Sequence, residues 1–280
     1  MTIGIGLLCD GGKRILLAAD MRASYGASTS NDQTAKLFDL PSKYCGATSG
    51  TISQCEDVIS ELYHQMSQAQ KTPDAEISPS QVRKCITDSY FQIYTELATE
   101  ALRNDPKITI DQYHHDRTLV TSVRKTAVQA LKSLIVDVDL IVAGFCNGQP
   151  VQFVATGGEK VTVRAEISPG NAVIGTGWAA AQSWLNYRKQ NLTLGLAHSL
   201  LHLTEAKQFS EIDHQVGPWR QIILLWPGDF KGLEGGDALI QDWWNRYGLP
   251  LSDPLEQEQY NQSVLDTFGL NDIKTSSSEP

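Results

Sequence analysis

The sequence predicts an α+β fold in which two antiparallel sheets stack on each other and are covered by helices. Apolar runs occur as hairpins, two helices, further hairpins, two more helices and a final strand, in a chain of 280 residues that is 41% hydrophobic. Consecutive hairpins pair locally, and each pair of helices must cover one sheet face. The length and the apolar content suffice for one large layered domain.

The first half of the chain predicts two hairpins followed by two helices. Apolar runs bounded by turn residues predict strands at 2–9, 14–20, 36–40 and 43–49. Apolar residues at helical spacing then predict a helix that ends near Gln68. Ser78-Pro79 predicts the N-cap and first turn of a second helix that ends near Arg103.

The second half repeats this order after a polar segment. Residues 104–116 are polar and predict a loop, and 119–134 predicts a helix. Asn147-Gly148 is a strong turn signal between two apolar runs. The remaining elements are strands at 136–145, 151–155, 171–175 and 219–226, and helices at 178–189 and 193–208.

Composition argues against several classes of function. The net charge of −9 argues against a nucleic-acid binder, and no apolar run reaches the roughly 18 residues that a membrane helix needs. The N-terminus lacks the pattern of a secretory signal, so we expect a cytoplasmic protein. Five scattered cysteines indicate reduced, buried side chains.

His198 and His202 lie four residues apart but lack a third ligand, and no phosphate-binding loop occurs, so we expect no metal and no cofactor.

Three polar residues near the start of the chain suggest a catalytic site. If Met1 is removed, Thr2 carries a hydroxyl and a free α-amine, whose ordinary pKa of about 7.7 to 8.0 lets it act as the base for that hydroxyl. A nearby ammonium would favour the alkoxide, and a carboxylate would hold that ammonium in place. Lys36 and Asp20, sixteen residues apart, have the required chemistry.

The motifs around these residues resemble a known family. TIGIG, LLAADMRAS and AKLF in the first segment, and DLIVAGF, VIGTGW and DHQVG in the second half, occur in the order and spacing of proteasome β-type peptidases. These are N-terminal threonine peptidases of the N-terminal nucleophile hydrolase superfamily. The resemblance covers residues 2–226, and it implies a four-layer αββα sandwich.

The resemblance also implies roles for particular residues. Thr2 would be the nucleophile and amine base, Lys36 the neighbouring positive charge, and Asp20 the group that orients Lys36. Thr176 would replace a supporting serine, and Asp213 matches a supporting aspartate. The oxyanion donor would be a backbone N–H near Ala47, while Ala23 and Ser24 would line the substrate cleft.

One position departs from the family pattern. Val216 stands where a second supporting serine is usual, and valine has no group that can donate or accept a hydrogen bond. A working site would therefore need water or another group to complete the network around the amine.

These observations predict a threonine-type endopeptidase that hydrolyses peptide bonds through an acyl-enzyme. Peptides or unfolded proteins would be the substrates, and the resemblance implies a homo-oligomeric ring, often served by a separate ATP-driven unfoldase. Two alternatives stay open. Capture of the same acyl-enzyme by an amine would make the protein a peptide ligase or acyl transferase, and a non-catalytic structural subunit would fit the change at Val216.

The resemblance leaves two segments unexplained. The helical region is enlarged at about 104–135. Residues 227–280 form an acidic C-terminal extension with ten Asp or Glu and three Lys or Arg, and its serine-rich end is expected to be disordered. Trp243 and Trp244 in this extension are expected either to pack on the sandwich or to dock a neighbouring subunit.

Overall fold

The computed structural model describes most of the chain up to Leu233 and a short piece near the C-terminus. Among the described residues, the backbone alone is described for 23–25 and 29–31. The described ranges are 3–25, 29–31, 34–72, 75–116, 118–168, 170–213, 216–217, 220–233, 262–264 and 266. Trp243, Trp244 and the serine-rich end lie outside these ranges.

Two five-stranded antiparallel sheets form the centre of the fold. The first has the order β10-β1-β2-β11-β12, and its strands are β1 (Ile3–Cys9), β2 (Arg14–Asp20), β10 (Asn171–Gly175), β11 (Arg220–Trp226) and β12 (Asp229–Gly232). The second has the order β5-β6-β7-β8-β9, with β5 (Leu37–Leu40), β6 (Tyr44–Gly50), β7 (Val136–Cys146), β8 (Gln149–Gly158) and β9 (Thr162–Ala165). A two-stranded ribbon pairs β3 (Ala23–Tyr25) with β4 (Thr29–Asn31).

The hairpins form as the sequence predicts. Strands β1 and β2 join through a tight turn at Asp10–Gly12, in which Gly11 has a φ of +68° and Gly12 a φ of +84°. This left-handed backbone is readily adopted by glycine. In the resulting register Leu7 lies opposite Leu16. Nearly every residue of β1 and β2 is buried, so both faces of this hairpin contact apolar core.

Helix pairs cover one face of each sheet. Helices α5 (Trp178–Tyr187) and α6 (Leu196–Ser210) share an apolar core with the first sheet, and α1 (Ile52–Ala69) and α2 (Pro79–Asn104) share one with the second. The helix α1 turns its buried residues, Cys55, Val58, Leu62 and Met66, to one side at intervals of three or four. Ser78 caps α2 through a capping box with Gln81, as the Ser-Pro start predicts.

A third apolar core contains residues from both sheets. Leu8, Leu17 and Leu225 of the first sheet share this cluster with Ile141 and Val154 of the second. The mixed α+β architecture with two antiparallel sheets is therefore compatible with the predicted sandwich.

The segment 104–116 contains a helix, so the prediction of a loop there was wrong. Helix α3 spans Ile110–His115 and begins at Thr109, which forms a capping box with Gln112. Polar residues dominate this stretch, and six residues are too few to show a helical period. With α4 (Thr121–Lys132), α3 packs on the end of α2 around a small core of its own that includes Leu102, Ile108 and Ala127.

Four short strands were missed: β3 and β4 of the two-stranded ribbon, and one edge strand in each five-stranded sheet. Strand β9 pairs with β8, and β12 pairs with β11. Each is a four-residue edge strand, which is too short to show a clear alternation of apolar and polar residues. Strand β12 extends the first sheet past Trp226, and Val264 in the acidic extension is buried in the same core as α5 and α6.

The described residues also bear on the compositional predictions. All five cysteines are free and buried, as predicted. Within the described ranges, no helix combines the length and the apolar character needed to cross a membrane.

Candidate active site

Asp20 is the centre of the candidate site. It is the last residue of β2 and is fully buried. Its Oδ1 accepts hydrogen bonds from Lys36 Nζ at 2.9 Å and from the Ile3 N–H at 3.0 Å. Its Oδ2 accepts from the backbone N–H groups of Gly217 at 2.9 Å and Arg22 at 3.2 Å. Four donors fix the carboxylate in one orientation, which compensates for removing its charge from water.

Lys36 lies directly before β5 and points its ammonium at Asp20. Its side chain is buried, and Nζ also donates to the backbone carbonyl of Arg22. Burial lowers the pKa of Lys36, and the Asp20 carboxylate and its hydrogen bond oppose that shift. The backbone N–H of Lys36 donates to Gln221 Oε1 on β11 at 3.2 Å, so the segment is tied to the first sheet. The result is an oriented cation with a weakened hold on its proton.

The start of β1 joins the same hydrogen-bond network. Ile3 donates its N–H to the Asp20 oxygen that also accepts from Lys36. Thr2, the predicted nucleophile, lies outside the described residues, but the Ile3 nitrogen that donates this bond forms the peptide bond to Thr2. The attachment point of the predicted nucleophile is therefore at the Asp20–Lys36 pair.

Thr176 lies beside the start of β1. Strand β10 places Gly175 opposite Ile3, and Thr176, which is exposed, follows it in the turn before α5. A Cβ atom built on Gly177 would lie 3.3 Å from Ile3 Cδ1 and 3.0 Å from Val216 Cγ2. This turn, the start of β1 and Val216 are therefore immediate neighbours.

Asp213 belongs to a second turn that approaches the site from α6. Its backbone carbonyl accepts the N–H of Val216 at 2.9 Å, and its own N–H donates to Ser210 O at 3.1 Å. Val216 is buried in the apolar core with α6. The valine at this position therefore packs as a hydrophobic side chain.

Ala23 and Ser24 follow Asp20 in the small ribbon. Their backbone pairs with Asn31 and Ser30 of β4, while their side chains are outside what the structure describes. The ribbon starts three residues after Asp20, which places its backbone next to the site. Their predicted contact with substrate remains a prediction.

Ala47 lies inside β6, in the core between the sheets. It is fully buried and is paired with Leu37 on one side and Ile141 on the other. The N–H of the next residue, Thr48, donates to Lys36 O at 3.1 Å. Backbone N–H groups alternate in direction along a strand, so the N–H of Ala47 points away from Lys36 and toward β7.

Along β6 the backbone N–H groups point alternately toward β5 and toward β7, and Gly50 is a residue whose N–H falls on the β5 side. Two residues beyond Thr48, its N–H points to the side of Lys36. In the described part of the chain β5 begins at Leu37, so no strand residue of β5 lies opposite Gly50. Its φ is +129°, and a Cβ atom would lie 2.0 Å from Asp137 O, so only glycine fits.

Sequence reasoning missed the contributions of Gly50, Gly217 and Gln221. Gly217 donates its N–H to Asp20 Oδ2, and a Cβ atom there would lie 2.6 Å from the Cβ of Arg22. The sequence held a signal for both glycines. Gly50 stands before Thr51 at the start of α1, and Gly217 ends the DHQVG motif. Gln221 carried no such signal, because an amide inside a strand has no distinctive spacing.

His202, one of the two histidines noted in the sequence, has a polar partner inside the protein. His202 Nδ1 contacts Gln190 Oε1 at 2.9 Å under α6. Burial, with the positive charges of Arg188 and His198, lowers the pKa of His202 to about 4. Among the described residues, no three His, Cys, Asp or Glu side chains are placed to hold one metal ion.

Comparison with known proteins agrees with the first part of this site. The family model described as proteasome subunit matches residues 4–102, so this part of the chain is similar to proteasome subunits. The matched region contains Asp20, Lys36 and Gly50, and it ends before Thr176 and Asp213. No curated protein matches the chain.

Proposed function

We propose that this protein is a proteasome-like threonine peptidase of the N-terminal nucleophile hydrolase type. The observation that carries the proposal is that the Ile3 N–H and Lys36 Nζ converge on the same oxygen of Asp20. Thr2 is joined to this Ile3 nitrogen, which supports a role for Thr2 next to a buried, oriented ammonium. The match of residues 4–102 to proteasome subunits supports the same class.

The proposed reaction starts when Met1 is removed and Thr2 gains a free α-amine. The hydroxyl oxygen of Thr2 attacks a peptide carbonyl while the amine takes the hydroxyl proton. Lys36 lowers the energy of the developing alkoxide, and Asp20 keeps Lys36 in place. The tetrahedral intermediate collapses to an ester on Thr2, and the proton from the amine goes to the departing peptide nitrogen. A water molecule, deprotonated by the amine, then hydrolyses the ester.

We assign the oxyanion donor to the N–H of Gly50 in place of Ala47. The parity of β6 turns the Gly50 N–H toward the side of Lys36 and the Ala47 N–H toward β7. A backbone donor fixed by a strand and a helix start needs little reorganisation when charge develops on the carbonyl oxygen. Thr176 and Asp213 would support the amine from the turns beside Ile3.

The wider features of the class belong to the same proposal. The three apolar cores support a four-layer αββα sandwich, in which α5 and α6 cover one sheet and α1 and α2 cover the other. The predicted domain at 2–226 would also include β12 and Val264, which belong to the first sheet and its core, and the rest of 227–280 would form an extension. A homo-oligomeric ring, peptide or unfolded-protein substrates, a separate ATP-driven unfoldase and a cytoplasmic location remain predictions.

Intact mass spectrometry with a threonine-directed acylating probe, such as a peptide β-lactone, tests the proposal. We expect the protein to lack Met1 and to gain the mass of one probe molecule. T2A should abolish the labelling, T2S should retain it, and T126A, a change on the exposed side of α4, should have no effect. Retained Met1, or labelling that survives T2A, would refute the mechanism.

A non-catalytic structural subunit is the second candidate, and Val216 is the observation that favours it. The apolar side chain is buried where the family pattern has a hydroxyl. This candidate predicts that the probe leaves the mass unchanged even when Met1 is absent. If labelling occurs, adding a peptide amine during turnover separates a hydrolase from a ligase, because a ligase would form the joined peptide in preference to the free acid.

A further inference from the structure

A second buried lysine lies behind Asp20 and has no role in the proposed reaction. Lys207 is in α6, and its side chain is 1% exposed. Its Nζ donates to Glu211 Oε1 at 2.5 Å and to the backbone carbonyl of Gly217. A fully buried ammonium is costly, so its partners indicate what it stabilises.

Gly217 connects this lysine to the candidate site. The residue accepts from Lys207 through its carbonyl and donates to Asp20 Oδ2 through its N–H at 2.9 Å. It also packs so closely on Arg22 that a Cβ atom would lie 2.6 Å from the Arg22 Cβ. Lys207 therefore holds the carbonyl of Gly217, while the N–H of the same residue supports Asp20.

The charge of Lys207 also reaches the site. Burial and, more weakly, the positive charge of Arg220 lower the pKa of Lys207, while Glu211 and, more weakly still, the negative charge of Asp20 oppose that shift. Asp20 thus lies in the field of two buried lysines, with Lys36 bonded to Oδ1 and Lys207 acting on the Oδ2 side through Gly217.

We propose that Lys207 is a positioning residue that fixes the orientation of Asp20 through Gly217 and thereby holds Lys36 and Ile3 at the site. This inference rests on the proposed function for its catalytic consequence. Its structural consequence is independent of catalysis. The Ile3 amide depends on Lys207 only if the Asp20 carboxylate transmits the effect.

Amide hydrogen exchange on the full chain tests the structural consequence. In K207M, which keeps an apolar stem and removes the ammonium, we expect exchange at Gly217 and at Ile3 to accelerate about tenfold or more. The amide of Leu140 in β7 should be unchanged. K84M is the matched control, because Lys84 forms the same i,i+4 pair with Asp88 at 2.5 Å on an exposed helix face. It should alter neither amide.

Acylation of Thr2 by the β-lactone probe tests the catalytic consequence. We expect the rate to fall about tenfold or more in K207M and to fall less in K207R, which restores the positive charge but must fit a larger guanidinium into the buried site. The acidic limb of the pH–rate profile should also move to higher pH, because removing a nearby cation makes the α-amine easier to protonate. A purely structural role would not move this limb.

Faster exchange at Gly217 with unchanged exchange at Ile3 would overturn the proposal, because Lys207 would then anchor only its own turn. If K207M does not fold, K207Q decides. Its side chain is uncharged and one bond shorter than that of lysine, so it loses both the charge and the reach to the Gly217 carbonyl. Unchanged Ile3 exchange with unchanged acylation would also overturn the proposal. If Thr2 of the unaltered protein is never acylated, the proposed function fails, and the exchange result still decides the role of Lys207.

Discussion

Two buried ion pairs, Lys36–Asp20 and Arg188–Glu205, show how differently one fold uses opposite charges. Arg188 binds Glu205 through Nε at 2.7 Å and Nη2 at 2.8 Å, and Trp184 Nε1 adds a third bond at 3.0 Å. All three residues belong to or adjoin α5 and α6. The planar guanidinium joins these helices through a bidentate bond to one carboxylate, so this pair is a structural clamp.

The lysine pair has a different arrangement. Asp20 receives only one bond from Lys36, and its other donors are backbone amides from three separate segments. Lys36 is a compact cation with a pKa lowered chiefly by burial. A bidentate arginine suits a fixed joint, whereas a lysine that shares its carboxylate with the chain start suits chemistry at that start.

Among the substitutions that distinguish the two ion pairs, replacement of Lys36 should have the largest effect on the acylation rate. In K36M we expect acylation of Thr2 to slow by about 1,000-fold, because the alkoxide loses its neighbouring charge. Acylation should also be slow in K36R. The guanidinium is too large for a site built around one buried carboxylate oxygen, and it does not share the lowered pKa of the lysine. Probe kinetics followed by intact mass measure both.

R188K is the matched substitution in the arginine pair. Both its acylation rate and its free energy of unfolding would be measured. The substitution should leave acylation unchanged, because Arg188 lies at the C-terminal end of α5 and bonds to Glu205 of α6, with no bond to Asp20 or Lys36 among those described. If R188K and K36R slowed acylation equally, the distinction between a clamp and a reactive site would fail.

Breaking the arginine pair should affect stability. E205Q leaves the guanidinium of Arg188 buried without its carboxylate, and we expect the free energy of unfolding to fall by about 3 kcal/mol. Denaturant unfolding measures this change, and the acylation rate per folded molecule should stay the same. E96Q, at an exposed position on α2, is the control. A loss of acylation at full stability would contradict the structural role.

The acid sensitivity of His202 should give a smaller effect near the same clamp. Its pKa is lowered to about 4 by burial and by the charges of Arg188 and His198, whereas in the unfolded chain it is near 6.5. As the pH falls below about 6.5, the unfolded state binds a proton that the folded state does not. Stability present above that pH is therefore lost on the way to pH 4, by about 2 kcal/mol between pH 7 and pH 5.

The variant H202Q isolates this contribution. Its free energy of unfolding should decline less than that of the unaltered protein between pH 7 and pH 5, while H64Q, at an exposed position on α1, should keep the full decline. Equal slopes in all three proteins would show that His202 is not the group responsible.

Much of the fold could be predicted because its signals are local. The turn at Asp10–Gly12 and the cap at Ser78 act through neighbouring residues, so hairpin β1–β2 and helix α2 were anticipated. Edge strand β12 and helix α3 were missed, because a few residues held by a neighbouring strand or helix show no period of their own. Pairing of Asp20 with Lys36 was anticipated from their residue types and from the family resemblance, and the structure brings them together.

Residue types and the order of elements can be read from the chain alone: a threonine after Met1, a carboxylate at the end of β2, a lysine directly before β5, and helix pairs between hairpins. Which groups meet at Asp20 depends on contacts between distant parts of the chain. Gly217 donates to it from 197 positions away, and Lys207 holds that glycine from within α6. Strand register and helix packing determine such contacts, and both are set by the burial of whole faces. The same register turns the N–H of Gly50, and not that of Ala47, toward the side of Lys36.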